Sequence, residues 1–102
     1  MQVDFNKVFK NLDGTDISEK PQSQEPFTLK TVAINAVLFQ EKGEALNGQD
    51  SLKRFDLATA IYASKEPMDL DSGQIELIKQ QIAKLYAPMI VGQSWKMLEG
   101  KL

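Results

Sequence analysis

Carboxylates are the side chains here best suited to chemistry, because the chain carries fourteen Asp and Glu but no histidine and no cysteine. Without histidine it lacks the commonest general base and the commonest transition-metal ligand. Without cysteine there is no disulfide, thiolate metal site or thiol nucleophile. Carboxylates alone can still bind a hard cation or share acid–base work as a pair. Asp69-Leu70-Asp71-Ser72-Gly73 opens as a calcium loop does, yet Gln74 stands where that loop needs glycine and Gln80 where it needs a bidentate Glu. Asp13-Gly14-Thr15-Asp16 offers fewer ligands still. Helix capping and turn formation account for both, so no metal site is expected.

No acid pair is flanked by an apolar stretch that would raise a carboxyl pKa. The patterns GxSxG, SxxK, GxxxxGK[ST] and GxGxxG are all missing. The expectation is therefore a protein that is not an enzyme, with no catalytic residue and no cofactor. Twelve Lys and Arg leave a net charge of −2, and Arg54 is the only arginine. A chain of that balance, with no second arginine to read guanine, is a poor nucleic-acid binder. Its best DNA-binding alternative is a small regulator using a helix over 71–86, with Lys79, Lys84, Lys96 and Lys101 near phosphates.

Periodicity supplies the elements that position these residues. Leu29, Val32, Ala33, Ala36 and Val37 recur at helical spacing, which predicts a helix from a Thr28 cap to about Gln40. Ile34 and Leu38 widen its apolar face, so it belongs at the centre of the domain. Gly43 to Asp50 reads as a loop with an Asn-Gly turn. A second helix runs from a cap at Asp50 or Ser51 to about Ser64, with Leu52, Phe55, Ala58, Ile61 and Tyr62 inward and Lys53, Arg54 and Asp56 outward. Lys65 to Leu70 is a short linker. Asp71 and Gln74 form a capping-box variant that opens a helix with an Ile75, Ile78, Ile82 and Leu85 stripe. Glu76, Lys79, Gln80, Gln81 and Lys84 fill its other face.

Pro88 must bend the chain near Ala87 and suits the first turn of another helix, in which Val91, Trp95 and Leu98 share a face. Gly92 is expected to let another backbone approach closely, and Gly100 to mark the helix end. The first segment has two readings. Phe5, Val8, Phe9 and Leu12 follow helical spacing behind an Asp4 cap, while the alternation of Val3 and Phe5 and the Asp13-Gly14 pair suit a hairpin. The helix is the preferred one. Ser18 to Pro26 is polar and proline-punctuated, a loop or arm.

These elements predict a mainly α single domain over 1–102, a compact bundle of four to five short helices, with an N-terminal β-hairpin as the alternative at the start. Residues 1–27 form an arm and loop, and 28–102 the helical core. Hydrophobic residues make up 42% and charged residues 25%, the balance of a soluble globular protein. No apolar run approaches the roughly 18 residues that span a bilayer, and the first twenty residues lack the apolar core of a signal peptide. No membrane partner and a cytoplasmic location are therefore expected.

The end of the chain carries more apolar residues than one helix face can bury. Met89, Val91, Trp95 and Leu98, with the Ile75, Ile78 and Ile82 stripe, are accordingly the candidate partner-binding residues, and Trp95 the candidate hot spot. The partner would be a protein or a second copy of the chain.

Several elements together carry a resemblance. Asp4-Phe5, Leu12-Asp13-Gly14, Pro26-Phe27-Thr28-Leu29-Lys30, Leu52-Lys53-Arg54-Phe55, Ile75-x-x-Ile78-Lys79 and Pro88-Met89-Ile90-Val91-Gly92-Gln93 resemble a set of small proteins encoded by tailed bacteriophages and prophages. The resemblance implies a bacterial host cytoplasm and an accessory or assembly role, such as a tail-assembly chaperone, with a phage or host protein as partner. A structural subunit of a ring or neck is the alternative. It assigns no role to any residue.

Overall fold

The computed structural model describes residues 1–15 and 28–101. Its centre is set by the apolar spacing of one helix, α1 (Leu29–Leu38), in which Leu29, Val32, Ala33, Ala36 and Val37 are all buried. With apolar side chains on most sides it packs against both α2 (Gly48–Ala63) and α3 (Ser72–Leu85), and α4 (Pro88–Leu98) closes over α3. The fold is mainly helical, as its periodicity requires. Ile78 and Ile82 are fully buried against α1 and α4, and each contributes about 2–3 kcal/mol of transfer free energy.

Helix α3 starts where the sequence indicates. Gln74 N donates to Asp71 Oδ1 at 2.7 Å, and Asp71 N donates to Gln74 Oε1 at 3.0 Å, a complete capping box. Ile75, Ile78 and Ile82 are buried and Leu85 is largely exposed. Gln81, expected on the outer face, is buried instead. Its Nε2 donates to Ala36 O at 3.0 Å and Phe39 O at 2.7 Å, carbonyls at the C-terminal end of α1, the first of which also accepts from Phe39 N.

Helix α2 differs from expectation at its start and in its face. Asn47 Oδ1 accepts from Asp50 N at 2.8 Å, so the Asn-Gly pair opens the helix rather than making a turn. Leu57, Ala58 and Ile61 face inward, whereas Leu52, Phe55 (60% exposed) and Tyr62 (76% exposed) face out. The sequence offers two stripes, and the polar groups choose between them. With Leu57 and Ala58 inward, Arg54 Nη1 reaches Phe39 O at 3.2 Å and Nη2 reaches Glu44 Oε2 at 3.0 Å. The opposite rotation would carry Arg54 away from both. From α1, Lys30 Nζ in turn donates to the carbonyls of Tyr62 and Ser64 at the end of α2.

Residues 1–15 contain no helix. Strand β1 (Gln2–Val3) pairs antiparallel with β2 (Met68–Asp69), Gln2 opposite Asp69 and Val3 opposite Met68, so part of the expected linker is a strand. Val8 bridges Thr28. The extended form wins because α1 needs partners for its first N–H groups, and the Thr28 side chain supplies none. Lys30 N donates to Phe5 O and Leu29 N to Lys7 O, each at 2.9 Å. A helix over these residues would hold those carbonyls within itself. Val3, Phe5 and Phe9 are buried, and Leu12 is 94% exposed. The loop expected over Ser18–Pro26 lies outside the described residues.

Two outcomes follow for stability. Gln81→Leu removes one of two donors at Ala36 O, which keeps Phe39 N, and one of two at Phe39 O, which keeps Arg54 Nη1; urea unfolding should show a loss of about 1–2 kcal/mol. The backbone N–H of Glu41 and the Arg54 guanidinium hold the Glu44 carboxyl below its ordinary value. A lowered folded-state pKa means stabilisation that is present above the ordinary value and lost as pH falls through the folded one. Unfolding followed from about pH 6 to pH 3 should therefore show a smaller acid loss for Glu44→Gln than for the wild type.

Candidate partner-binding groove

Helix α4 is fixed at both ends by local chemistry. Pro88 occupies its first turn after an extended Ala87, so the chain bends where the proline requires. At the other end Gly100 adopts φ +75°, which allows Lys101 N to donate to Lys96 O at 2.7 Å and Gly100 N to Met97 O at 3.2 Å. Ser94, Met97 and Leu98 turn into the core. The Ser94 hydroxyl is buried there without a hydrogen-bond partner.

A second face of α4 meets the extended N-terminal segment. Gln93 Oε1 accepts from Lys10 N at 3.0 Å and Gln93 Nε2 donates to Lys10 O at 2.8 Å, so one side-chain amide holds the segment's backbone as a neighbouring strand would. Between the segment and the helix runs a groove of about 870 Å³. Its floor is apolar, built from Val8, Leu12, Pro88, Met89 and Met97. Lys7, Lys10 and Lys96 line it, and among the described residues no carboxylate does.

Gly92 lies in this groove, and a Cβ built there would meet no atom within 4 Å outside its own helix. The close backbone approach expected at Gly92 does not occur. The missing side chain instead leaves the groove deeper.

The structure separates the candidate partner residues. Ile75, Ile78, Ile82 and Leu98 are core, and Val91 is half-buried against it. Trp95 seals the joint between α3 and α4: its Nε1 donates to Lys79 O at 3.2 Å, and Lys79 Nζ lies 5.3 Å from the ring centroid. The same ammonium bonds Glu99 Oε1 at 2.9 Å and, with Lys101, holds the Glu99 carboxyl below its ordinary value. Met89 alone of the candidates lines the groove. It lies about 120° around the helix from Trp95, so the two cannot form one hot spot.

Lys7, Val8, Lys10 and Leu12 were not foreseeable as site residues, because long-range pairing brings them to α4. The available signal was a glycine inside a helix beside Met89, Gln93 and Lys96. The acids have local duties. Asp71 caps α3, and Asp13 Oδ1 accepts from Thr15 N at 3.0 Å and Thr15 Oγ1 at 2.7 Å, which lowers its carboxyl pKa. Among the described residues, no three His, Cys, Asp or Glu converge on a metal position. No helix among them is long and apolar enough to cross a membrane.

No family model, curated protein or solved structure matches the chain. The groove must therefore be read from its own chemistry. Since nothing occupies the space beside Gly92, Gly92→Ala should raise stability by about 1 kcal/mol in a thermal melt, by gain of helix propensity. A close contact at Gly92 would make the same change destabilising.

Proposed function

We propose that the protein is a non-enzymatic binding module that holds a segment of another protein in the groove between residues 7–12 and α4. The observation that carries this reading is the open apolar floor itself. Leu12 is 94% exposed and Met89 is also exposed, and both line one trough with Gly92. Flexible methionines suit such a surface, because they repack around partners of different shape. The wall is already in place, held by the Gln93 amide, so a partner need not order it.

In the phage setting that the sequence resemblance suggests, such a module would serve in the host cytoplasm as an accessory or assembly factor. Shielding an apolar segment of a structural protein before assembly, as a tail-assembly chaperone does, is one such role. The alternative, a DNA-binding role for the helix over 71–86, would draw on lysines that already have acidic neighbours. Lys79 is paired with Glu99, and Lys84 lies 3.8 Å from Glu41.

A displayed library of random peptides tests the reading. Selection on the wild type should enrich sequences whose binding drops at least about tenfold (1.4 kcal/mol) on Gly92→Phe, while the variant keeps its melting temperature. Enriched sequences indifferent to Gly92→Phe, or no enrichment at all, would sink it.

A further inference from the structure

Among the described residues, the most exposed large apolar side chains outside the groove stand together on α2. Leu52, Phe55 and Tyr62 are 58%, 60% and 76% exposed and share the outer face of the helix with exposed Thr59. Leu57, Ala58 and Ile61 turn the opposite face onto α1. We infer that the outer face is a self-association surface, on which α2 of a second copy packs antiparallel about a two-fold axis at the level of Leu57. This face is separate from the groove, none of whose lining residues belongs to α2.

Spacing names the second copy as the occupant. Positions 52, 55, 59 and 62 follow one another at intervals of 3, 4 and 3 residues, the rhythm at which two helices stay in contact along their length. The series reads the same in both directions. In an antiparallel pair Phe55 therefore faces the second copy's Thr59, and Leu52 faces its Tyr62, so each layer sets a larger side chain against a smaller one. A parallel pair would stack Phe55 on Phe55 and Tyr62 on Tyr62 and leave a gap between two threonines. Self-complementarity of one patch is what a closed two-fold dimer requires.

The polar chemistry of the face suits burial. Thr59 Oγ1 already donates to Phe55 O at 2.9 Å, so covering it strands no hydroxyl. None of the four side chains is charged, and Asp56, the nearest charge, falls on the border of the face rather than its centre. Aromatic side chains bury ~150–250 Å² when fully covered, so at these exposures the three large ones supply about 400 Å² per copy. With bordering residues such as Ser51 and Ala63, two copies bury about 1,200 Å², the low end for a specific interface and the size of a dimer that dissociates on dilution. An anionic membrane surface fits less well: of the two basic residues on α2, Arg54 is engaged with Glu44 and Phe39 O, and only Lys53 remains to meet headgroups.

Sedimentation equilibrium of the full chain from about 1 to 500 μM tests the inference, and the wild type should pass from monomer to dimer within that range. Phe55→Glu should raise the dissociation constant at least about tenfold, with an unchanged melting temperature at the dilute, monomeric end. Tyr62→Ser should weaken the dimer in the same direction, and Gly92→Phe, in the groove, should leave it as it is. The chain has no cysteine, so Gln49→Cys carries the only spin label; two such labels should lie about 25–35 Å apart in the antiparallel pair, against under about 20 Å in a parallel one.

An oligomer larger than a dimer, a dimer indifferent to Phe55→Glu or lost on Gly92→Phe, or labels closer than about 20 Å would each overturn the inference. So would a monomer at every concentration, which leaves the face to a different protein, or to a membrane if that monomer sediments with anionic phospholipid vesicles.

Discussion

The carbonyl of Phe39 is where the helical packing is decided. A helix apolar on most of its sides sits at the centre of its domain, and its last carbonyls then end among side chains with little access to water. Such groups need donors, and α1 has no basic residue in its last turn to help them. Gln81 from α3 and Arg54 from α2 both donate to Phe39 O, and Gln81 also donates to Ala36 O. One helix end thus fixes the rotation of two others. The arrangement is reciprocal, because Lys30 of α1 serves the carbonyls at the end of α2, which also lacks a basic residue in its last turn.

That constraint explains which parts of the fold were legible in the sequence. The buried face of α1, the Asp71–Gln74 capping box, the bend at Pro88 and the stop at Gly100 are local features, and each follows from residues within a few positions of one another. The face of α2 is not local. Leu52, Phe55 and Tyr62 carry more apolar bulk than Leu57 and Ala58, so hydrophobic periodicity alone favours the wrong stripe. Satisfying Phe39 O and Glu44 with Arg54 outweighs that difference. Gln81 misleads in the same way, since a glutamine in a helix reads as solvent-facing until the carbonyls it serves are known.

The N-terminal segment obeys the same rule from the other end of α1. Its apolar spacing fits a helix as well as a strand, but Leu29 N and Lys30 N need acceptors, and only an extended chain presents Lys7 O and Phe5 O to them. Once extended, the segment buries Val3, Phe5 and Phe9 and leaves Val8 half-buried and Leu12 exposed. Gln93 then ties Lys10 to α4 through two hydrogen bonds. The groove is a by-product of that seating, which is why Met89 was its one residue among the sequence candidates. Trp95, the most conspicuous residue near the chain's end, is spent on the α3–α4 joint.

Gly92 separates what the fold needs from what the groove needs. A glycine inside a helix costs about 1 kcal/mol relative to alanine and is normally retained for a close contact or a positive φ. Gly92 has neither: a Cβ there meets nothing within 4 Å beyond its own helix, and among the described residues positive φ is confined to Gly14, Gly43 and Gly100. Helix α4 would be more stable with alanine at 92, and its packing on α3 would not change. What would change is the shape of a trough whose lining, among the described residues, is largely apolar. Local rules broken without a structural return tend to mark functional positions. By that criterion the groove, rather than the tryptophan or the isoleucine stripe, is the proposed binding site.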